Sequence, residues 1–289
     1  MIVSPMVGAT HWKIGGNAID LSRRALIMGV LNVTPDSFSD GGEFFGREKA
    51  VEHGVKMAND GADIIDVGGE STRPDAERVP ADEELARVIP VIEKLSRNID
   101  ALISIDTSKS VVARTALEVG ASIINDVTGG RGDSAMFALA AEKKAAIIIM
   151  HMQGTPQTMQ IDPTYNDVVG EVADFFRQQY TRALECRIDP MTIAFDPGIG
   201  FGKTVEHNLE LLANLPRLRI HDRPLVIGVS RKAFLGRISG TKKMSDRVAP
   251  TVALTSLLRE RGAQVLRVHD VKANVDALRT TEALLATTA

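Results

Sequence analysis

The sequence predicts an α/β fold, a closed (β/α)8 barrel, and three observations carry that prediction. Eight short apolar runs each end in a polar or charged residue. Helical periodicity recurs in the stretches between them. Successive run ends lie 19 to 45 residues apart, the length of a strand–helix–strand unit. An apolar run of strand length reads as a strand buried on both faces. Eight such parallel strands can close on themselves and lose their edges. Polar groups at their C-terminal ends then converge on one mouth, the working face of such barrels. An open doubly wound sheet is the alternative, but it leaves two edges and usually has fewer strands.

In chain order, the first element is a hairpin. In residues 11–21 (HWKIGGNAIDL), Gly15-Gly16-Asn17 between alternating residues reads as its turn. A hairpin placed before the first barrel strand would cap the closed bottom. The eight runs follow. They are residues 25–31 ending in Asn32, 62–65 in Asp66, 101–105 in Asp106, 121–124 in Asn125, 145–150 in His151, 191–195 in Asp196, 225–229 in Ser230 and 265–268 in His269. Helical faces between them include Val51, Val55 and Ala58; Leu85, Val88, Ile89 and Ile92; Val168, Val172, Phe175, Phe176 and Ala183; and Val271, Val275 and Leu278. Pro90 is expected to kink or break the second. The connections 32–46, 68–80 and 151–163 are long and rich in Gly or Pro, as functional loops are. The first two are expected to open and close over the mouth. No long linker or low-complexity stretch interrupts the chain. Residues 1–289 therefore read as one domain, with the hairpin at about 11–21 and the barrel at about 25–284.

Composition narrows the function. Apolar residues make up 44% of the 289, enough for a large core, and 34 basic against 37 acidic residues give a net charge of -3. That balance predicts no nucleic-acid and no membrane partner. An anionic substrate would have to be held by a local cluster of cations. Cys186 is the only cysteine, which excludes an internal disulfide, and within a helix it reads as a buried small hydrophobe. The first residues lack the basic start and apolar stretch of a signal peptide. No apolar run approaches the ~18 residues needed to span a bilayer. A soluble cytoplasmic protein is expected.

The densest polar signal is Asn-Val-Thr-Pro-Asp-Ser-Phe-Ser-Asp-Gly-Gly at residues 32–42. Asn32 ends a strand that Pro35 stops, and Asp36 and Asp40 follow. These oxygens suit a hard cation such as Mg²⁺, or equally a solvated turn. Arg267 and His269 alternate on the last strand, so both can face the mouth. They read as an anion site or as a satisfied strand-end pair.

NVTPDSFSDGG resembles the first signature of the dihydropteroate synthase family. Further blocks match in order: IDVGGESTRP at 65–74, IDTSK at 105–109, INDVT at 124–128, MHMQG at 150–154, DPGIGFGK at 196–203, GVSRK at 228–232 and RVHDV at 267–271. The resemblance runs from about Leu26 to Leu278 and implies a condensation. 6-Hydroxymethyl-7,8-dihydropterin diphosphate would lose diphosphate to the amine of p-aminobenzoate, giving 7,8-dihydropteroate.

The resemblance also implies site roles. Asp106, Asn125, Asp196 and Lys232 would hold the pterin, whose aminopyrimidine edge suits a carboxylate and an amide. Asn32, Thr72, Arg73, Arg267 and His269 would hold the diphosphate. Phe38, Pro74, Phe201, Ser230 and Lys232 would border p-aminobenzoate. Mg²⁺ would sit on Asn32, where Asp40 and Asp106 could support it. A homodimer and sulfonamide inhibition are implied as well. The arylamine is already a nucleophile, so no base is demanded. A path through a stabilised pterin methyl cation would rest on charge stabilisation and positioning. His151 is given no proton-transfer role and is expected to be a satisfied structural histidine.

The chain departs from the pattern at Asp75, at Ala233 and in the stretch 128–133. These departures bear on the second substrate more than on the pterin. Three rival readings remain. A methylfolate-binding methyltransferase would share the pterin residues but would not need NVTPDSFSDGG, SRK or RVHD. A metal-dependent hydrolase would use Asp66, Asp106, His151, Asp196 and His269 as ligands. A pterin-binding paralogue would bind without turnover.

Overall fold

Alternation along each barrel strand sorts side chains into an inward and an outward set. The computed structural model describes residues 11–34, 42–71 and 78–287, with the side chains of the first helix given from residue 46. The chain begins with β1 (His11–Ile14) and β2 (Asn17–Asp20), an antiparallel pair turned by Gly15 and Gly16. Both glycines have positive φ, as a two-residue hairpin turn requires. Asn17, expected in the turn, instead opens β2 and pairs with Ile14.

Eight parallel strands follow: β3 (Leu26–Asn32), β4 (Ile64–Gly68), β5 (Leu102–Asp106), β6 (Ile123–Asp126), β7 (Ala146–Met150), β8 (Ile193–Asp196), β9 (Val226–Ile227) and β10 (Val265–Val268). Their order is β8-β7-β6-β5-β4-β3-β10-β9, and a parallel bridge from Phe195 to Leu225 draws the two ends together. The barrel is thus nearly closed. Helices α1 (Gly42–Asn59), α2 (Ala81–Ser96), α3 (Ser110–Glu118), α4 (Met136–Lys143), α5 (Val168–Glu185), α6 (Val205–Ala213), α7 (Ala233–Ser239), α8 (Val248–Glu260) and α9 (Val271–Ala286) lie between and after the strands.

The outward set, including Ile27, Ile65, Ile103, Ile124, Ile147, Phe195, Ile227 and Leu266, packs against the helices in one large core. The inward set at the bottom forms a second, smaller core: Leu26, Met28, Ile64, Ile123, Ile148, Ala194, Val226 and Val265. Trp12, Ile14 and Leu21 of the hairpin segment belong to this second core. The Trp12 indole is fully buried and donates to the Thr192 carbonyl at 2.9 Å. The hairpin therefore plugs the bottom, as expected.

Four expectations need correction. Cys186, expected to be buried within a helix, is exposed just past the end of α5, where the chain turns away from the core. The second strand runs two residues past Asp66, which sits inside the strand and not at its end. Its apolar run is broken there because an inward polar group has partners waiting. The seventh strand is only two residues long, although Leu225–Val229 is uniformly apolar. Apolar content reports burial, and residues 228–230 leave the ladder before the run ends. Pro90 neither stops nor divides α2, which continues from Ala81 to Ser96. A mid-helix proline removes one hydrogen bond, and burial of Val88, Val91, Ile92 and Leu95 holds the helix around it. Among the described residues no helix is long and apolar enough to cross a membrane.

Candidate active site

Strand parity puts the polar side chains in the lumen. Asp66 lies two residues beyond inward Ile64, Asn125 two beyond Ile123, Asp196 two beyond Ala194 and Arg267 two beyond Val265. Each follows an inward apolar residue of the lower core. The register sets Asp66 beside Ser104 and Asp106 beside Asn125 on neighbouring strands. A polar layer thus stands directly on the apolar floor.

Arg267 is the centre of that layer. Its Nε donates to Asp66 Oδ2 at 2.6 Å and its Nη2 to Asp106 Oδ2 at 2.7 Å. Asn125 Nδ2 donates to the same Asp66 oxygen at 3.0 Å. Asp66 is fully buried, and its Oδ1 has no hydrogen-bond partner among the described residues. Burial pushes the Asp106 carboxyl up to about 7; Arg267 opposes the rise, while Asp66, Glu84 and Asp126 add to it. Burial alone would lower the Arg267 guanidinium, but the two carboxylates raise it instead and hold it charged.

On the neighbouring strands, Asp196 ends β8 and Lys232 follows β9. Asp196 is 6% exposed, and its Oδ1 accepts from the Gly198 N–H at 2.7 Å. Burial raises its carboxyl above the usual range, against the pull of Lys232, Gly198 and Arg267. Burial lowers Lys232 to about 8; Asp196 resists the shift. The Lys232 ammonium donates to the Ile199 carbonyl and lies 4.4 Å from the centre of the Phe201 ring. Met150, Met152, Met159 and Val127 pack together with Phe201, giving this wall an apolar, polarisable surface.

The loop after β9 is fixed from several sides. Arg231, at φ 58°, forms a forked ion pair with Asp270, its Nε to Oδ2 at 2.9 Å and Nη2 to Oδ1 at 2.5 Å. Ser230 Oγ accepts from the His269 N–H at 3.1 Å and lies 3.0 Å from its Nδ1. Behind the mouth, Lys109 bridges Glu70 and the buried Glu84, and Arg87 Nη1 donates to the Gly69 carbonyl at 2.7 Å. These contacts anchor the chain leading into Ser71. His151 is neutral and structural, as expected. Burial, with Lys203 and Arg131 nearby, lowers its imidazole to about 2, and Lys203 Nζ lies 3.0 Å from Nδ1.

The structure gathers Asp106, Asn125, Asp196, Lys232, Ser230, Arg267, His269 and Phe201 at the C-terminal ends of β5, β6, β8, β9 and β10. Asn32 closes β3 beside them. Phe38, Asp40, Thr72, Arg73 and Pro74, with Asp36 and Asp75, lie outside the described residues. So do residues 35–41 and 72–77 of the first two loops expected to cover the mouth. Sequence reasoning missed Asp66 as a partner of Arg267, Met150 as part of the wall, and Lys203. Counting by twos from Ile64 would have found Asp66. The hydrolase reading finds no site: among the described residues no three His, Cys, Asp or Glu side chains gather to hold a metal ion.

A nearly closed barrel whose acids, amide and arginine share one polar layer above an apolar floor defines a class, and the comparisons agree with it. Residues 28–269 match the pterin binding enzyme family, and the chain belongs to that family. It is 45% identical over 271 residues to a dihydropteroate synthase of Synechocystis sp., covering 94% of each chain. It resembles the solved dihydropteroate synthase of Xanthomonas albilineans with 4-aminobenzoic acid, with a TM-score of 0.90 and 44% identity over 96% of this chain and 99% of that one. The Yersinia pestis dihydropteroate synthase with a sulfonamide drug complex matches with a TM-score of 0.89 and 41% identity, at the same coverage.

Proposed function

We propose that this chain is a transferase of folate synthesis that condenses 6-hydroxymethyl-7,8-dihydropterin diphosphate with p-aminobenzoate, giving 7,8-dihydropteroate and diphosphate. The observation that carries the reading is the shared lumen. Asp196, Lys232 and Arg267, at the ends of β8, β9 and β10, lie close enough to act on one another's charges, in a chain 45% identical to a dihydropteroate synthase.

The pterin lies with its aminopyrimidine edge on Asp196 and Asn125, beside Asp106, and Lys232 donates to its ring carbonyl. The diphosphate meets Arg267 and His269, with Thr72, Arg73 and Asn32 completing its contacts. When the carbon–oxygen bond breaks, its electron pair leaves with the diphosphate, and these donors stabilise the growing negative charge. The p-aminobenzoate nitrogen then bonds to the methylene carbon and sheds one proton to water or to the released diphosphate. Phe38, Pro74 and Phe201 border its ring, and Ser230 and Lys232 receive its carboxylate. No protein base is required, which fits the neutral, internally bonded His151.

Mg²⁺ is part of the proposal. A Cβ on Gly68 would lie 3.7 Å from Asp106 Oδ2 and 3.8 Å from Asn32 Oδ1, so two hard oxygens border one small space. Asn32 would hold the ion, with Asp106 and Asp40 in support. When bound, it would neutralise diphosphate charge. The chain working as one domain, as a homodimer and in the cytoplasm completes the reading; light scattering on the purified protein tests the dimer.

Purified protein with Mg²⁺ should release diphosphate only when both substrates are present. Release from the pterin diphosphate alone, or binding of both substrates without release, would overturn the assignment; the latter would leave the paralogue.

A further inference from the structure

Lys203 is 3% exposed and forms no ion pair among the described residues. A buried lysine without a carboxylate partner is expensive. Its Nζ nevertheless has a full set of acceptors: the Phe201 carbonyl at 2.9 Å, His151 Nδ1 at 3.0 Å and the His151 carbonyl at 3.5 Å. It also lies 6.0 Å from the centre of the Tyr165 ring. Lys203 thus ties the loop after β8 to the start of the loop after β7.

We propose that Lys203 is a positioning residue for the second substrate, holding the Phe201 backbone against His151 so that the Phe201 ring stands fixed beside the aminobenzoate. This inference rests on the proposed place of Phe201 at that ring.

The surrounding geometry gives the tie its purpose. The loop after β8 is built from glycines at positive φ that allow backbone to press on backbone. A Cβ on Gly198 would lie 1.8 Å from the His151 carbonyl oxygen, and one on Gly202 2.6 Å from that of Gln153. Such a loop has no side-chain packing of its own at those points to fix its path. Polar groups from the loop after β7 grip its carbonyls one by one. Gln160 donates to Gly200 at 2.8 Å and Tyr165 to Gly202 at 2.8 Å, while Lys203 takes Phe201 between them. Phe201 is the residue of this run whose ring contacts Lys232, a ligand of both substrates. Burial and the nearby Lys232 lower the Lys203 amine well below its ordinary value, while Asp196 opposes the shift.

Steady-state kinetics with both substrates tests the assignment in four variants: Lys203→Met, Lys203→Gln, Phe201→Ala and the double Lys203→Met/Phe201→Ala. Loss of one buried hydrogen bond from an amine should raise the p-aminobenzoate KM of Lys203→Met about tenfold. The KM for the pterin diphosphate should stay within about twofold. Lys203→Gln, which keeps a donor for the Phe201 carbonyl, should recover most of the loss; it carries the test if the methionine variant does not fold. If Lys203 acts through Phe201, the double variant should be no worse than Phe201→Ala alone. Multiplying effects in the double variant, or equal rises in both KM values, would overturn the proposal. A damaging Phe201→Ala with a silent Lys203→Met would sink the role of Lys203 alone. An unchanged p-aminobenzoate KM in Phe201→Ala would remove Phe201 from the second-substrate site, and this inference with it.

Discussion

Replacing Arg267 with Met removes the cation shared by Asp66 and Asp106, and the structure sets both the size and the pH dependence of the result. The guanidinium is only 21% exposed on its side chain and contacts the two carboxylates at 2.6 and 2.7 Å. Removing one partner of a buried pair costs about 3–5 kcal/mol when the remaining charge cannot be neutralised. Asp106 offers partial relief, because its carboxyl already sits at about 7. Without the opposing cation it moves higher. A carboxyl whose folded value is raised binds more protons folded than unfolded. Stability therefore falls as pH rises from the unfolded value of 3.8 through the folded one, by about 1.4 kcal/mol per pH unit. In the wild type that decline ends near pH 7, while in Arg267→Met it continues above it. Thermal melts should show a Tm deficit of about 5 °C at pH 6.5 that widens to about 10 °C at pH 8.5, at roughly 2–3 °C per kcal/mol for a chain of this size. Diphosphate release should fall about a thousandfold, as for loss of a donor to developing charge. A Tm deficit that does not change with pH, or a wild-type kcat/KM, would refute the reasoning.

Other outcomes are equally definite. Asp196→Asn should weaken pterin binding about 10- to 100-fold by calorimetry, from the loss of a charge-assisted acceptor, while Phe38→Ala leaves it nearly unchanged; equal affinities in wild type and Asp196→Asn would mean the ring sits elsewhere. Trp12→Ala should lower unfolding stability by about 3–5 kcal/mol in urea, followed by circular dichroism, because a fully buried indole leaves a cavity in the floor; a change under ~1 kcal/mol would show that the hairpin is dispensable. Removing Mg²⁺ with a chelator should abolish turnover until Mg²⁺ returns, and Asn32→Ala should raise the Mg²⁺ requirement about tenfold; full turnover in metal-free buffer would end the metal assignment.

Much of this molecule was readable from its residues, and the gaps have physical causes. The strand ends stood out because a buried parallel strand is apolar until it reaches the mouth, so Asn32, Asp106, Asn125 and Asp196 break the pattern where function begins. Asp66 was harder to see. It interrupts a strand from within, and its partner Arg267 is 201 positions away in sequence. Lys203 carried no signal of its own, since a lysine after a glycine-rich turn looks like solvent-exposed chain until the fold buries it. Helices α1, α2, α5 and α9 announced themselves by periodic apolar faces. The shorter α3, α4, α6 and α7 contain seven to nine residues each and offer too few turns for a period to emerge. Pro90 misled because propensity is weighed locally, whereas the four buried aliphatic residues around it act through the tertiary core.

The tryptophan-sealed floor also governs traffic. With Trp12, Ile14 and Leu21 filling the lower end, the barrel is shut at its base. A ligand that comes to rest against Asp196 therefore reaches it from the mouth, and not through the floor.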